Sequence, residues 1–186
     1  MPNDNTGENT GVKTKYDGVA KTLHWIVALL MIVMLTAGWT LGDLPLDEKV
    51  QTLVIHSSLG LSVFILMFIR LYWRRNNPPP ALPDHMPTWQ VAASKFSHHG
   101  LYFFVILQPL LGLGQSMYAD FDVRPFGAFS VNMGANESLH GIFHELHEIN
   151  AMILIALVLL HLGAALYHHF VQKDTVLKRM LPYGRV

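Results

Sequence analysis

Four stretches of this chain, Thr22–Gly42, Val50–Ile69, Phe96–Ala119 and Ile149–Gln172, contain no Asp, Glu, Lys or Arg, and they are 21, 20, 24 and 24 residues long. A helix needs about 20 apolar residues to cross the hydrocarbon core of a bilayer, so each stretch is long enough to span. Only 14% of the 186 residues are charged, against about 25% in a soluble domain, and the deficit sits in these four runs. The expected fold is all-α: a transmembrane four-helix bundle over residues 19–172, with spans at about 22–42, 50–72, 96–119 and 146–170. The first run exceeds the roughly 7–15 apolar residues of a secretory signal and is read as an uncleaved span. Residues 1–18 are polar and rich in Gly and Asn, which predicts a mobile tail; residues 173–186 form a second tail.

Charge predicts the orientation. Of the 13 Lys and Arg residues, 11 fall in the N-terminal tail, the loop 70–95 and the C-terminal tail. The other two loops hold only Lys49 and Arg124, beside eight acids. Cytoplasmic flanks are enriched in Lys and Arg, so both termini are expected in the cytoplasm, as an even number of spans also requires. The run Asn76-Asn77-Pro78-Pro79-Pro80 and Pro83 predict an extended connector between the second and third spans. Pro125 and several glycines predict an irregular lid over Asp120–Leu139, and Pro109 predicts a kink in the third span. A formal net charge of +0 gives no sign of a nucleic-acid partner. The absence of cysteine excludes disulfides, iron–sulfur ligation and thioether-linked haem.

Ionisable side chains inside a membrane are costly and point to function. His147 and His161 lie 14 residues apart on the last helix, which puts them on one side and about 21 Å apart along the axis. With the orientation above, His24 lies near the cytoplasmic end of helix 1 and His56 near the outer end of helix 2. Depth therefore pairs His24 with His161 and His56 with His147. Haem iron takes axial imidazoles on both faces of a flat, apolar macrocycle, and helical bundles supply such pairs from facing helices. Two imidazoles per iron leave no open coordination position, which favours electron transfer over oxygen chemistry. Zinc would want about four ligands converging on one point.

The other histidines carry different expectations. His140, His144 and His147 fall on one helical face and offer a minor reading as an outer metal site. His144 is about 100° out of line with His161, whereas His147 is about 40° out, so His147 is the expected ligand. His98 and His99 are expected to make interfacial hydrogen bonds, and His85 to be a solvated loop residue. His168 follows His161 on the same face at the cytoplasmic exit, where it is either a surface residue or a proton donor to a redox substrate; His169 is read as surface. Met31, Met34, Met67 and Met152 are read as packing residues, and Trp25, Tyr72, Trp73, Tyr102 and Tyr118 as interface aromatics. Gly60, one turn from His56, and Gly163, Ala164 and Ala165, after His161, suit a bulky cofactor; Gly38 and Gly42 suit tight helix packing. A propionate partner is expected among the basic residues, but the sequence selects none.

Leu23-His24-Trp25, Ile55-His56 followed by Gly60, Pro109-Leu110-Leu111-Gly112, His161…His168-His169 and the tail Lys173-Asp174…Leu177-Lys178-Arg179-Met180-Leu181-Pro182 together resemble the prokaryotic cytochrome b561 family, from about Lys15 to Pro182. The resemblance implies a four-helix protein of the bacterial inner (plasma) membrane with two non-covalent b-type haems. By the family pattern His24 and His161 would hold one and His56 and His147 the other. It also implies quinone-linked electron transfer, with superoxide as a donor and ubiquinone as acceptor in some members. The pair His140…His144 is not part of the pattern.

The expected function is that of a dihaem b-type cytochrome, an oxidoreductase or electron-transfer protein working between an outer donor and membrane quinone. Superoxide would have to react at a haem edge and would need a basic funnel among the acidic outer loops, built on Lys49 or Arg124. The rival within redox work is a haem-carrying anchor subunit of a larger dehydrogenase or hydrogenase. The rival outside it is a histidine-based metal-ion transporter, weakened by the lack of any intramembrane carboxylate.

Overall fold

The computed structural model describes residues 14–41, 44–83 and 86–183. The N-terminal tail up to residue 13, Gly42 and His85 lie outside the described residues, and so do the expectations placed on them. The rest is all-helical: α1 (Gly18–Thr40), α2 (Leu46–Asn76), α3 (Thr88–Met117) and α4 (Glu137–Tyr167), all four long and apolar enough to cross a membrane. Each helix starts before its charge-free core, because polar turns at its N-terminal end continue the helix, and α2 also runs past the other end. α4 gains most. It starts at Glu137 on an Asn136 cap whose side chain accepts from Leu139 N, so His140 and His144 sit on the helix rather than in a loop. After Tyr167 a π-turn (His168–Gln172) ends at Lys173, whose left-handed φ of 56° turns the chain back.

Consecutive helices pack against each other, α1 on α2, α2 on α3 and α3 on α4, whereas α4 makes hardly any direct backbone contact with α1 or α2. The start of α1 and the segment after α4 lie at one end of the bundle, the terminal end, where Trp25 Nε1 donates to the Met180 carbonyl at 3.0 Å. There Asp17 caps α1 through Ala20 N and accepts from Trp73 Nε1, tying the start of α1 to the end of α2. At the far end, residues 120–136 are irregular around a single 3₁₀ turn, Pro125–Gly127. That segment is stitched by Asn132 to the Ala119 and Phe121 carbonyls and pinned to α2 by Phe126 N–H donating to Ser58 Oγ.

The bundle wears its apolar residues outward. Leu29, Ile32, Phe103 and Leu159 are each more than half exposed, which water would penalise and lipid does not. The protein is a multi-pass membrane protein. Its buried core is a compact layer of Val27, Met31, Val63, Met67, Val105 and Leu154 at mid-bundle.

Candidate functional site

That core layer divides two histidine sites. Leu154, fully buried, is seven residues from both His147 and His161, and Val63 is seven from His56. Seven residues are about two helical turns, so the layer lies midway between the two levels and keeps them apart.

At the terminal end, the rings of His24 (α1) and His161 (α4) stand 6.1 Å apart, centre to centre, at 60°. At the far end, His56 (α2) and His147 (α4) stand 6.4 Å apart at 65°. Both pairs bridge helices whose backbones do not pack together, so side chains alone span each gap. An iron atom bonded to two imidazoles at about 2 Å, with about 1.1 Å from each nitrogen to its ring centre, would put the ring centres about 6.2 Å apart. Both observed spacings match that arrangement.

The remaining ring atoms set which nitrogen can face a metal. His147 Nδ1–H donates to the Gln108 carbonyl at 3.1 Å, which leaves Nε2 bare and turned to other partners. Its neighbour on α3 is Gly112, where a Cβ would stand 3.0 Å from His147 Cε1, so only a glycine lets α3 approach this ring. His56 Nδ1 is buried with no hydrogen-bond partner among the described residues. Gly38 stands behind that ring, its Cβ position 3.7 Å from His56 Cε1, so this glycine borders a site histidine and not only a helix seam. Gly60 instead receives Met34, at 3.6 Å, and the position of Gly163 is open.

Two neighbours of the terminal-end pair escape a reading of spacing alone. Arg70 Nη2 donates to His24 Nδ1 at 3.0 Å, and its guanidinium lies 5.3 Å from the Tyr102 ring centre. A guanidinium only donates, so the His24 proton here sits on Nε2. Ligation through Nε2 requires the opposite tautomer, and Arg70 must then release the ring. His98 bonds Ser94 Oγ at 3.3 Å, as an interfacial histidine would, but its ring also faces His161 at 5.4 Å. His98 is thus a close neighbour of the pair as well as an interfacial histidine.

The other histidines separate cleanly. His140 and His144 stack at 6.3 Å with planes 3° apart, and one residue occupies both: His140 Nδ1–H donates to the Gln115 carbonyl, and Gln115 Nε2 donates to His144 Nδ1. His144 also lies 3.4 Å from Glu148. No group of three or more His, Asp or Glu poised for a metal ion occurs among the described residues. His99 donates to the Lys95 carbonyl. His168 Nδ1 is bonded to Asp174 Oδ2, and both side chains are largely buried, so its Nε2 is held in a set direction by a carboxylate. Asp174 reaches it because Lys173 reverses the chain. Met31 and Met67 pack in the core layer, whereas Met152 faces outward.

Comparison with known proteins decides the family. The sequence profile of prokaryotic cytochrome b561 matches residues 15–183. The chain belongs to the prokaryotic cytochrome b561 family. Cytochrome b561 homolog 1 of Escherichia coli (strain K12) is 32% identical over 169 residues, covering 86% of this chain and 93% of that protein. Cytochrome b561 homolog 2 of the same organism is 29% identical, covering 92% and 94%. The probable superoxide oxidase CybB of Yersinia pestis is 29% identical, covering 92% and 98%. Membership in the cytochrome b561 family makes the chain a membrane cytochrome of electron transfer and implies b-type haem. The two ring spacings fit that group.

Proposed function

We propose that this cytochrome b561 is a dihaem protein of the bacterial inner membrane that moves single electrons between a donor at the far end and a quinone at the terminal end. Bound haem supplies the one-electron iron couple that no side chain of this chain provides. His24 and His161 would hold one haem, and His56 and His147 the other. The observation that carries the reading is the pair of ring spacings, 6.1 and 6.4 Å, each across a gap between unpacked helices. Two imidazoles at each site would leave bound iron no open position, so substrates would exchange electrons at the macrocycle edge. The Leu154 layer excludes water from the path between the sites.

The terminal end favours the quinone. A largely apolar cavity of about 340 Å³ lies between α1 and the C-terminal tail, lined by Gly18, Lys21, Thr22, Trp25, Ile26 and Pro182. It is large enough for a small-molecule head group. The Trp25 ring stands edge-on to His24 at 5.4 Å, so an occupant would sit one side chain from a haem ligand. His168, held by Asp174 at the same end, is the proposed proton donor to a reduced quinone. Arg70, freed from His24 on ligation, is the proposed partner of a haem propionate.

At the far end superoxide is the proposed donor, in line with the name of the Yersinia pestis relative. Arg124 is tied to Asp122 at 2.7 Å, so its charge is offset. Lys49 forms no ion pair among the described residues and is the cation left to draw an anion to that end. With both termini in the cytoplasm, the far end faces the periplasm. The test is an optical spectrum of the purified protein, oxidised and reduced, with haem counted per chain, followed by superoxide-driven reduction of a short-chain ubiquinone. Two b-type haems and quinone reduction are expected. A colourless protein made with ample haem overturns the reading.

A further inference from the structure

Gln108 and Asn150 are polar residues within apolar spans, and their side chains bond to protein groups. Their bonds form a clasp around one ligand. His147 Nδ1–H donates to the Gln108 backbone carbonyl at 3.1 Å, and Gln108 Nε2 donates back to the His147 backbone carbonyl at 3.1 Å. Asn150, one turn beyond His147 and 3% exposed, donates from Nδ2 both to the Phe104 carbonyl, at 3.0 Å, and to Gln108 Oε1. The amide orientations are forced, because a backbone carbonyl accepts and never donates. Gln108 must show its nitrogen to His147, so its oxygen faces Asn150; Asn150 must show its nitrogen to Phe104.

The clasp closes beside Pro109. Proline has no N–H, so the Val105 carbonyl loses its helical donor at this turn. The side chains of α4 then brace the turn that carries the acceptor for His147. The clasp is not saturated: Asn150 Oδ1 is buried with no partner among the described residues. A half-satisfied amide in a membrane bundle is costlier than a leucine of similar size, so packing alone does not account for it.

We infer that Gln108 and Asn150 are positioning residues that fix the tautomer and ring angle of His147 and thereby set the electron affinity of the His56/His147 haem relative to its partner. The inference rests on the dihaem reading above. A histidine whose distal N–H is firmly bonded is a stronger donor to its metal and stabilises the higher oxidation state. His24 and His161 have no such clasp: Arg70 meets one, and no bond is formed by the other's Nδ1 among the described residues. The clasp thus makes the two sites electronically unequal.

The test uses the full-length, haem-loaded protein in detergent, with His56→Ala identifying the far-end haem signal. Asn150→Leu and Gln108→Leu are compared with wild type by redox titration and by electron paramagnetic resonance of the low-spin ferric haems. Each variant should keep both haems, raise the midpoint potential of the His56/His147 haem and shift its g-values, with the other haem unchanged. The double variant should shift the potential by less than the sum of the two single shifts, since either single variant already removes the bond between Asn150 and Gln108. Should Asn150→Leu fail to assemble, Gln108→Met, near-isosteric and at home in an apolar span, carries the same expectation. Variants that leave the far-end haem untouched, or that move both haems equally, overturn the inference. A wild-type protein without haem instead sinks the dihaem reading before any variant is compared.

Discussion

At the scale of single residues, the geometry distinguishes histidines that composition treats alike. His144 and His147 are three positions apart, but His144 is exposed and bonded to Gln115 and Glu148, whereas His147 turns inward to His56. His147→Ala should therefore lower haem content from two to one per chain, and His144→Ala should leave it at two, as counted by pyridine haemochrome. Gly112→Val should mimic the first result. Its added carbons enter space already held by His147 Cε1, so far-end haem should fall several-fold while helix content, read by circular dichroism, is kept.

At the scale of elements, the start of α1 gives a pH-dependent result. Asp17 lies outside the spans. Burial pushes its carboxyl up, but the bonds from Ala20 N–H and Trp73 Nε1–H outweigh that and hold it below its ordinary value. A depressed folded-state value means the stabilisation is complete above the unfolded-state value, about 4, and is lost as pH falls through the folded one. Asp17→Ala should cost about 1 kcal/mol at neutral pH through the lost cap, whereas Asp17→Asn should keep most of the cap and flatten the acid limb of a thermal-melt profile. Elements were also the most legible level of the sequence. The four charge-free runs gave four helices because lipid leaves a spanning chain few other ways to satisfy its backbone. Less legible was what crosses between helices. Arg70 meets His24 across 46 positions and Gln108 meets His147 across 39, so local periodicity could not pair them. The signals that were present are Asn150 and Gln108, polar residues inside apolar runs, and His98, whose place one residue from His99 hid that the two point to different partners.

At the scale of the whole molecule, orientation is open to direct measurement, because a chain with no cysteine gives no background to thiol labelling. A cysteine at the exposed Glu145 should react with a membrane-impermeant maleimide in intact cells, and one at Tyr183, 98% exposed, only after permeabilisation. The reverse pattern would place the termini outside. One helix also carries a histidine at each level. On the dihaem reading α4 supplies His147 and His161, so its uninterrupted run between them would set the distance an electron must tunnel. One alanine inserted after Leu154 would rotate the two rings by about 100° relative to each other and abolish one site, whichever the helix chose to keep. A change in the length of a loop would leave both rings facing their partners; a change in this interval would not.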